Sequence, residues 1–204
     1  MERINADNSF APVRAADVLA AGGVILYPTD TLYGLGADAF SDDAVAAIYA
    51  IKGREEGKPI HVIVADGVMM VRYGQMNGIA RSLAERFLTG QLTLILKKKQ
   101  GIDTGIARDR DTIGLRIPEN EFCLALARAF DRPYTTTSAN VSGMKPERTV
   151  DAILAQLGEM KSWIDLVIDA GELPERLPST VVDVSTGAAI VLREGAIPAS
   201  DILF

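Results

Sequence analysis

Apolar residues along the chain follow two patterns, short continuous runs and runs at helical spacing. The continuous runs predict five strands, over residues 24–28, 60–66, 92–97, 112–118 and 133–140. The runs at helical spacing predict five helices, over residues 11–23, 41–54, 77–88, 120–130 and 149–158. Three more strands are predicted over residues 166–171, 180–185 and 189–195. This alternation predicts an α/β fold: a single-domain twisted mixed sheet with flanking helices and antiparallel additions near the end of the chain.

The length of 204 residues predicts a single domain over residues 1–204. The composition is that of a globular protein, because 48% of the residues are hydrophobic and 24% are charged. No apolar run approaches the ~20 residues that a membrane helix needs, and the polar first residues do not resemble a signal peptide. We therefore expect a cytoplasmic protein without a membrane partner. The net charge of −6 argues against a molecule that attracts polyanions as a whole, so an anion site must be a local group of cations.

The chain contains one cysteine and one histidine, which restricts its chemistry. An internal disulfide framework and a cysteine-based zinc site are therefore excluded. Cys123 lies among apolar residues at helical spacing, where a buried thiol is expected. His61 lies in a predicted strand, where a structural role is favoured over metal ligation. We predict no metal held by the protein itself.

Polar residues and glycines follow the first predicted strand in an unusual loop. The segment YPTDTLYGLG, residues 27–36, contains two threonines, an aspartate and two glycines. A plain connection of about 2–6 residues needs none of these. The glycines suggest a positive φ or a close backbone approach, and the hydroxyls suggest a polar ligand. This loop is therefore a candidate wall of a binding site.

Five cations lie at the ends of predicted elements or inside a strand. Lys52, Arg54 and Lys58 lie where a helix gives way to a strand, and they either complement the helix dipole in solvent or contribute ligand groups. Arg116 lies in an apolar strand. It is either an edge-strand arginine paired with a surface carboxylate, or an arginine that binds a carboxylate or phosphate in a cavity. Arg193 either forms a surface salt bridge or joins the same site.

Hydroxyl side chains gather at the ends of later strands. Residues 135–138 read TTTS and are followed by Asn140 and Ser142, and Ser179 and Thr180 lie at the start of another strand. Hydroxyls and backbone N–H groups together make a good nest for an anion. No Ser-His-Asp arrangement is evident, so the pattern predicts a site that holds an anionic ligand rather than one that attacks it covalently.

Seven segments resemble, in their order, the motifs of the YrdC-like family of threonylcarbamoyl-adenylate synthases. They are YPTDTLYGLG, KGR, KP, TIGLRIP, TSANVSG, STVVD and LREGAI, and they extend from Tyr27 to Ile197. The resemblance implies a fold similar to that of dihydroxybutanone-phosphate synthase, with the sheet around a deep, positively charged cavity. It also implies a reaction in which L-threonine, bicarbonate and ATP give threonylcarbamoyl-AMP and diphosphate. Downstream partner proteins would transfer the threonylcarbamoyl group to an adenosine of tRNA.

The resemblance also implies roles for individual residues. The residues that bind threonine would be Thr31, Arg116, Thr136 and Ser179. The residues that bind the nucleotide would be Lys52, Arg54, Lys58, Thr112, Ser138, Asn140, Ser142 and Arg193. Of these, Lys52, Arg54 and Ser138 would be catalytic. ATP would be a substrate, and Mg²⁺ would be bound through its phosphates.

One segment departs from the family pattern, and two alternative functions stay open. The family has PGPLT where residues 89–93 read TGQLT, so both prolines and their local rigidity are absent. The first alternative is a translation or ribosome-maturation factor that binds double-stranded RNA or tRNA without this activity. The second is a paralogue with a different carbamoyl substrate. Cations gathered in one pocket would favour the enzyme, and cations spread over ~16 base pairs would favour RNA.

Overall fold

The structure is a computed structural model that describes residues 1–55 and 57–202. The described residues form ten strands: β1 (Glu2–Asn5), β2 (Ile25–Pro28), β3 (Tyr33–Gly36), β4 (His61–Ile63), β5 (Leu92–Lys97), β6 (Thr112–Arg116), β7 (Tyr134–Ser138), β8 (Leu166–Asp169), β9 (Thr180–Asp183) and β10 (Ile190–Arg193). They also form seven α-helices: α1 (Ala11–Ala20), α2 (Asp42–Lys52), α3 (Gly67–Tyr73), α4 (Gly78–Phe87), α5 (Glu121–Phe130), α6 (Val150–Leu157) and α7 (Ala199–Ile202).

The strands join into one sheet in the order β1-β8-β2-β3-β7-β4-β6-β5-β9-β10. Four neighbouring pairs are parallel, namely β1–β8, β8–β2, β4–β6 and β5–β9, and the remaining pairs are antiparallel. The predicted mixed sheet with flanking helices is confirmed. The prediction of antiparallel additions near the end of the chain is confirmed for β10, which pairs with β9 in antiparallel orientation. It does not hold for β8 and β9, because β8 joins β2 and β9 joins β5 in parallel through long connections, as parallel pairing requires. Antiparallel pairs also occupy the middle of the sheet.

Strand β3 was predicted as loop, but it folds back on β2 as a hairpin. Its sequence YGLG contains two glycines, a residue type that strands disfavour, so residue propensity does not indicate a strand there. The register places Gly34 opposite Tyr27 and Gly36 opposite Ile25. A Cβ at Gly34 would lie 3.1 Å from the Tyr27 ring, and one at Gly36 would lie 2.9 Å from it. The two glycines are therefore needed for a close approach of the β3 backbone to the buried Tyr27 ring.

Three other elements were missed for different reasons. Strand β1 reads ERIN and lies at the edge of the sheet, where one neighbour suffices and no apolar alternation is needed. Helix α3 has seven residues, too few to establish a period. Its start is fixed by Asp66, whose Oδ1 accepts a hydrogen bond from the Met69 amide at 2.8 Å. The short helix α7 was also not predicted.

The predicted helix starts and the buried thiol agree with the structure. Ser41 caps α2 by accepting a hydrogen bond from the Ala44 amide, as its position before the helix predicts. Cys123 on α5 is fully buried, and burial raises the pKa of its thiol to about 12. It is therefore an inert part of the core rather than a nucleophile. None of the helices in the described ranges combines the length and apolar character that crossing a bilayer requires.

Candidate active site

A cavity of about 420 Å³ lies where strands β3, β4, β6 and β7 meet the segments that follow β7 and β8. Its lining carries the basic side chains of Arg54, Arg116, Lys145, Arg148, Arg176 and Arg193. Among the described lining residues, Glu175 is the one acid. A concave surface with one dominant sign of charge concentrates ligands of the opposite sign, so an anionic ligand is favoured here.

Arg116 lines this cavity at the end of β6, and it is almost completely buried, with 4% exposure. Its Nη2 donates to Oδ1 of Asp30 at 2.7 Å, its Nη1 to Oγ1 of Thr31 at 3.3 Å, and its Nε to the Gly90 carbonyl at 3.2 Å. Strand β6 has β4 and β5 on its two sides, so the edge-strand alternative is wrong. Arg116 is a cavity arginine whose fork is oriented by a buried carboxylate.

Asp30 is the partner that sequence reasoning did not single out. Its side chain is 2% exposed, and its second oxygen, Oδ2, accepts a hydrogen bond from the Glu119 amide at 3.3 Å. Its backbone carbonyl accepts a hydrogen bond from Nη1 of Arg176 at 2.7 Å. A signal was present in the sequence, because an aspartate between two threonines in a buried turn needs a cationic partner.

The predicted threonine-binding residues come together around Arg116. Thr31, Thr136 and Ser179 all line the same cavity as that guanidinium. The Ser179 hydroxyl lies 2.9 Å from that of Thr93, which belongs to the segment that lacks the family's prolines. The same segment supplies Gly90, whose carbonyl accepts from Arg116. Residues 89–93 therefore still place their polar groups at the site without either proline.

Lys52 lies behind the cavity rather than on its described lining. Its Nζ donates to the Ser138 carbonyl and, at 3.0 Å each, to the backbone carbonyl and Oδ1 of Asn140. Burial, with a further contribution from Arg54, lowers the pKa of Lys52 to about 8. Ser142 closes the arrangement, because its amide donates to the Lys52 carbonyl at 2.8 Å. These contacts give Lys52, Asn140 and Ser142 the geometry of residues that fix the turn after β7.

The other predicted nucleotide-binding residues divide into two groups. Arg54, Ser138 and Arg193 line the cavity. Arg193 donates to the Ser179 carbonyl at 2.7 Å and forms no salt bridge with a carboxylate of the described residues, so the salt-bridge alternative is not supported there. Its pKa is lowered by burial and by Arg116. Lys58 is half-exposed and pairs with Glu55, and Thr112 lies at the far end of β6 from Arg116, so the structure does not bring these two to the cavity.

Two loops that sequence reasoning passed over supply the remaining cavity cations. The segments KPER, residues 145–148, and LPER, residues 173–176, share a Pro-Glu-Arg triplet. Arg148 pairs with Glu172, while Lys145 lies 3.9 Å from Glu175. The Nε of Arg148 is buried and has no hydrogen-bond partner among the described residues. The repeated triplet was the available signal for these loops.

Known proteins resemble this chain in sequence and in fold. The family model for Sua5, YciO and YrdC proteins, described as "Telomere recombination", matches residues 17–195. The chain belongs to this family. A putative threonylcarbamoyl-AMP synthase of Methanocaldococcus jannaschii is 40% identical over 177 residues, which cover 87% of this chain and 82% of that protein.

Two solved structures of family members resemble this fold closely. Sua5 of P. abyssi complexed with L-threonine superimposes with a TM-score of 0.87 and 30% identity, covering 98% of this chain and 58% of that one. E. coli YciO gives a TM-score of 0.84 with 28% identity, covering 99% and 98%. The chain thus spans nearly all of YciO but little more than half of the Sua5 protein.

The described residues contain no group of three or more His, Cys, Asp or Glu side chains that could hold a metal ion. The buried carboxylate of Asp30 is engaged by Arg116. Most polar side chains of the described lining carry hydroxyl or guanidinium groups. Such a donor set is suited to binding oxyanions and to stabilising charge that develops on them.

Proposed function

We propose that the protein is an L-threonylcarbamoyladenylate synthase, which makes threonylcarbamoyl-AMP and diphosphate from L-threonine, bicarbonate and ATP. The observation that carries this proposal is the convergence of Arg116, Thr31, Thr136 and Ser179 beside Arg54 and Arg193 in one cavity. Arg116 and the three hydroxyl residues can bind the carboxylate and the hydroxyl of an amino acid. Arg54 and Arg193 can bind phosphates. The synthase names of relatives and the threonine complex of P. abyssi Sua5 support the same assignment.

In this proposal the deep, positively charged cavity holds both substrates in a reactive arrangement. The amine of threonine and bicarbonate form a carbamate with loss of water and a proton. A carbamate oxygen then forms a bond to the α-phosphorus of ATP, and the bond from that phosphorus to the bridging oxygen breaks, leaving diphosphate with the electron pair. The carbamate is already an anionic nucleophile, so the protein's contribution is positioning and neutralisation of charge.

Each cavity residue has a defined task in this scheme. Arg116 would hold the carboxylate of threonine through the N–H groups that Asp30, Thr31 and Gly90 leave free. Arg54 and Arg193 would bind the phosphates beside Ser138, whose hydroxyl donates to Oδ1 of Asn140. Lys52 would act through Ser138 and Asn140 as a positioning residue. Mg²⁺ fits best as an ion carried by the phosphates, because the described lining offers it only Glu175 as a carboxylate.

The alternative of an RNA-binding factor is less well supported. Arg54, Arg116 and Arg193 face one cavity of about 420 Å³, a size suited to small molecules, rather than a groove of helical RNA dimensions. Transfer of the product to tRNA by partner proteins would follow the reaction. Direct tRNA binding, if it occurs, should weaken steeply with added salt, because it would rest on phosphate contacts.

The deciding experiment is incubation of the protein with ATP, Mg²⁺, labelled bicarbonate and L-threonine. We expect diphosphate and a labelled acyl-adenylate in equal amounts. L-Valine, which replaces the hydroxyl by a methyl group, should be a poor substrate because its methyl group cannot form a hydrogen bond with Thr31, Thr136 or Ser179. Equal rates with valine would refute the assigned threonine pocket. Tight tRNA binding without any labelled adenylate would refute the synthase proposal itself.

A further inference from the structure

His61, the single histidine of the chain, lies on the wall of the cavity rather than in the core. It begins strand β4, with Thr136 of β7 as its antiparallel partner and Gly114 of β6 beside it. A Cβ at Gly114 would overlap the imidazole, lying closest to Cδ2. The ring therefore rests on the bare backbone of β6, in a space that exists because residue 114 is glycine.

The ring nitrogens of His61 are not used by the fold. Within the described ranges, no hydrogen bond joins either nitrogen to another residue, while the neighbouring Thr31, Ser179 and Arg116 all have partners. His61 is only partly buried, and its nitrogens are not among the described buried side-chain atoms without a partner, so water or a ligand in the cavity can complete their bonding. The structural role expected from the sequence therefore leaves these nitrogens available to a ligand.

Three arginines face His61 from three different parts of the fold: Arg193 from β10, Arg54 from the segment after α2, and Arg116 from β6. Thr136 and Gly114, on the adjacent strands, carry no charge. Burial first, and then these arginines, lower the pKa of His61 to about 4. At neutral pH the ring is therefore an uncharged imidazole with one N–H donor and one acceptor nitrogen. Arg54 and Arg193 line the cavity together with His61, so the ring faces the same space as the two guanidinium groups that the proposed function assigns to the phosphates.

We infer that His61 is a further substrate-contacting residue, whose neutral imidazole donates a hydrogen bond to a phosphate oxygen of the ligand held by Arg54 and Arg193. The inference rests on the proposed function only for the identity of that ligand as a nucleotide. Arginine supplies charge but bonds in a fixed fork, whereas a neutral ring adds one directional contact without a further cation. His61 would thereby fix the orientation of the phosphate chain between the two guanidinium groups.

Because the chain has one histidine, its ring signals can be followed by NMR without assignment ambiguity. We expect the free protein to show a pKa far below 6.5 for this ring. Inorganic diphosphate and ATP should each shift the ring signals and raise this pKa, because the bound anion offsets the three arginines. Adenosine, which lacks the phosphates, should have little effect. If neither ATP nor diphosphate shifts the ring signals, the inference is overturned.

Two substitutions give a second test by calorimetric titration with ATP. His61→Leu removes the donor and should weaken ATP binding by roughly tenfold to a hundredfold, the loss expected for one hydrogen bond to a charged group. His61→Asn retains a side-chain donor and should lose less. Unchanged ATP affinity in His61→Leu would contradict the inference, and the NMR titration of the wild-type protein decides it if that variant does not fold.

These measurements separate this inference from the proposed function. A wild-type protein that makes no acyl-adenylate, yet shows the ring shift with ATP, would refute the synthase proposal and support the contact by His61. A protein that makes the product while ATP and diphosphate leave its His61 ring signals unchanged would support the synthase proposal and refute the contact by His61.

Discussion

The buried ion pair of Asp30 and Arg116 offers the sharpest test of how the site is held. We consider the change Asp30→Asn, which removes the negative charge but keeps the size of the side chain and one oxygen. In the wild type the two side chains are 2% and 5% exposed and lie 2.7 Å apart. In the variant the Arg116 guanidinium would stay buried, since Gly90 and Thr31 still hold it, but its charge would have no counterion.

The expected cost follows from this burial. Removing one partner of a buried pair destabilises proteins by roughly 3–5 kcal/mol, because the other charge is left desolvated. The retained amide oxygen can still accept from Arg116, so we expect the lower end, about 3 kcal/mol. For a domain of this size that corresponds to a fall in Tm of roughly 6–12 °C.

A matched control is available in the same chain. Asp131 pairs with Arg72 at the same distance, 2.7 Å, but the two side chains are 74% and 45% exposed. Asp131 also has a φ of 50°, a conformation that asparagine adopts readily, so Asp131→Asn adds no backbone strain. We expect a change in the free energy of unfolding of at most about 1 kcal/mol for this exposed pair.

The assay is urea or thermal unfolding of the three proteins at neutral pH, followed by circular dichroism. The reasoning holds if Asp30→Asn lowers stability by several times more than Asp131→Asn. It is refuted if the two variants are equally stable. That result would mean that water reaches the Arg116 guanidinium, and that the buried carboxylate does not hold it in place.

Two further predictions concern the same cavity. Arg116→Lys should stay folded and bind ATP nearly normally but lose about 1.5–3 kcal/mol of threonine binding in calorimetry, while Arg72→Lys should change nothing. His61 has a pKa of about 4 when folded and about 6.5 when unfolded, so stability is complete above pH 6.5 and falls as the pH drops towards 4. Between pH 7 and 5, urea unfolding should show a loss about 2 kcal/mol larger in the wild type than in His61→Asn.

Much of the fold and part of the site follow from the sequence. Continuous apolar runs marked the strands well, because buried strands need apolar side chains on both faces. Arg116 stood out because a charge in such a run must find a partner or a ligand. The sequence does not show whether Arg116 has a partner or a ligand. The structure shows that Arg116 has a buried partner, Asp30, 86 residues away.

What escaped prediction depended on contacts across the chain. The pairing of β3 with β2 requires glycines where the β3 backbone passes close to the Tyr27 ring. This requirement arises from the pairing and cannot be read from the segment YGLG alone. A structural role was expected for His61 because the sequence offers no second histidine or cysteine pair for a metal site, and only the sheet order brings it beside arginines from three elements. Arg148 and Arg176 lie on loops whose course local patterns do not determine.

The spacing of Lys52 and Arg54 shows how two similar cations acquire different tasks. Helix α2 ends at Lys52, and Gly53 adopts a left-handed conformation with a φ of 54° that turns the chain sharply. Lys52 is still on the helix, so its side chain reaches inward to the carbonyls after β7. Arg54 follows the turn, and its side chain reaches the cavity. A residue with a Cβ at position 53 would resist that conformation, so this glycine separates the cation that holds the turn after β7 from the cation that lines the cavity.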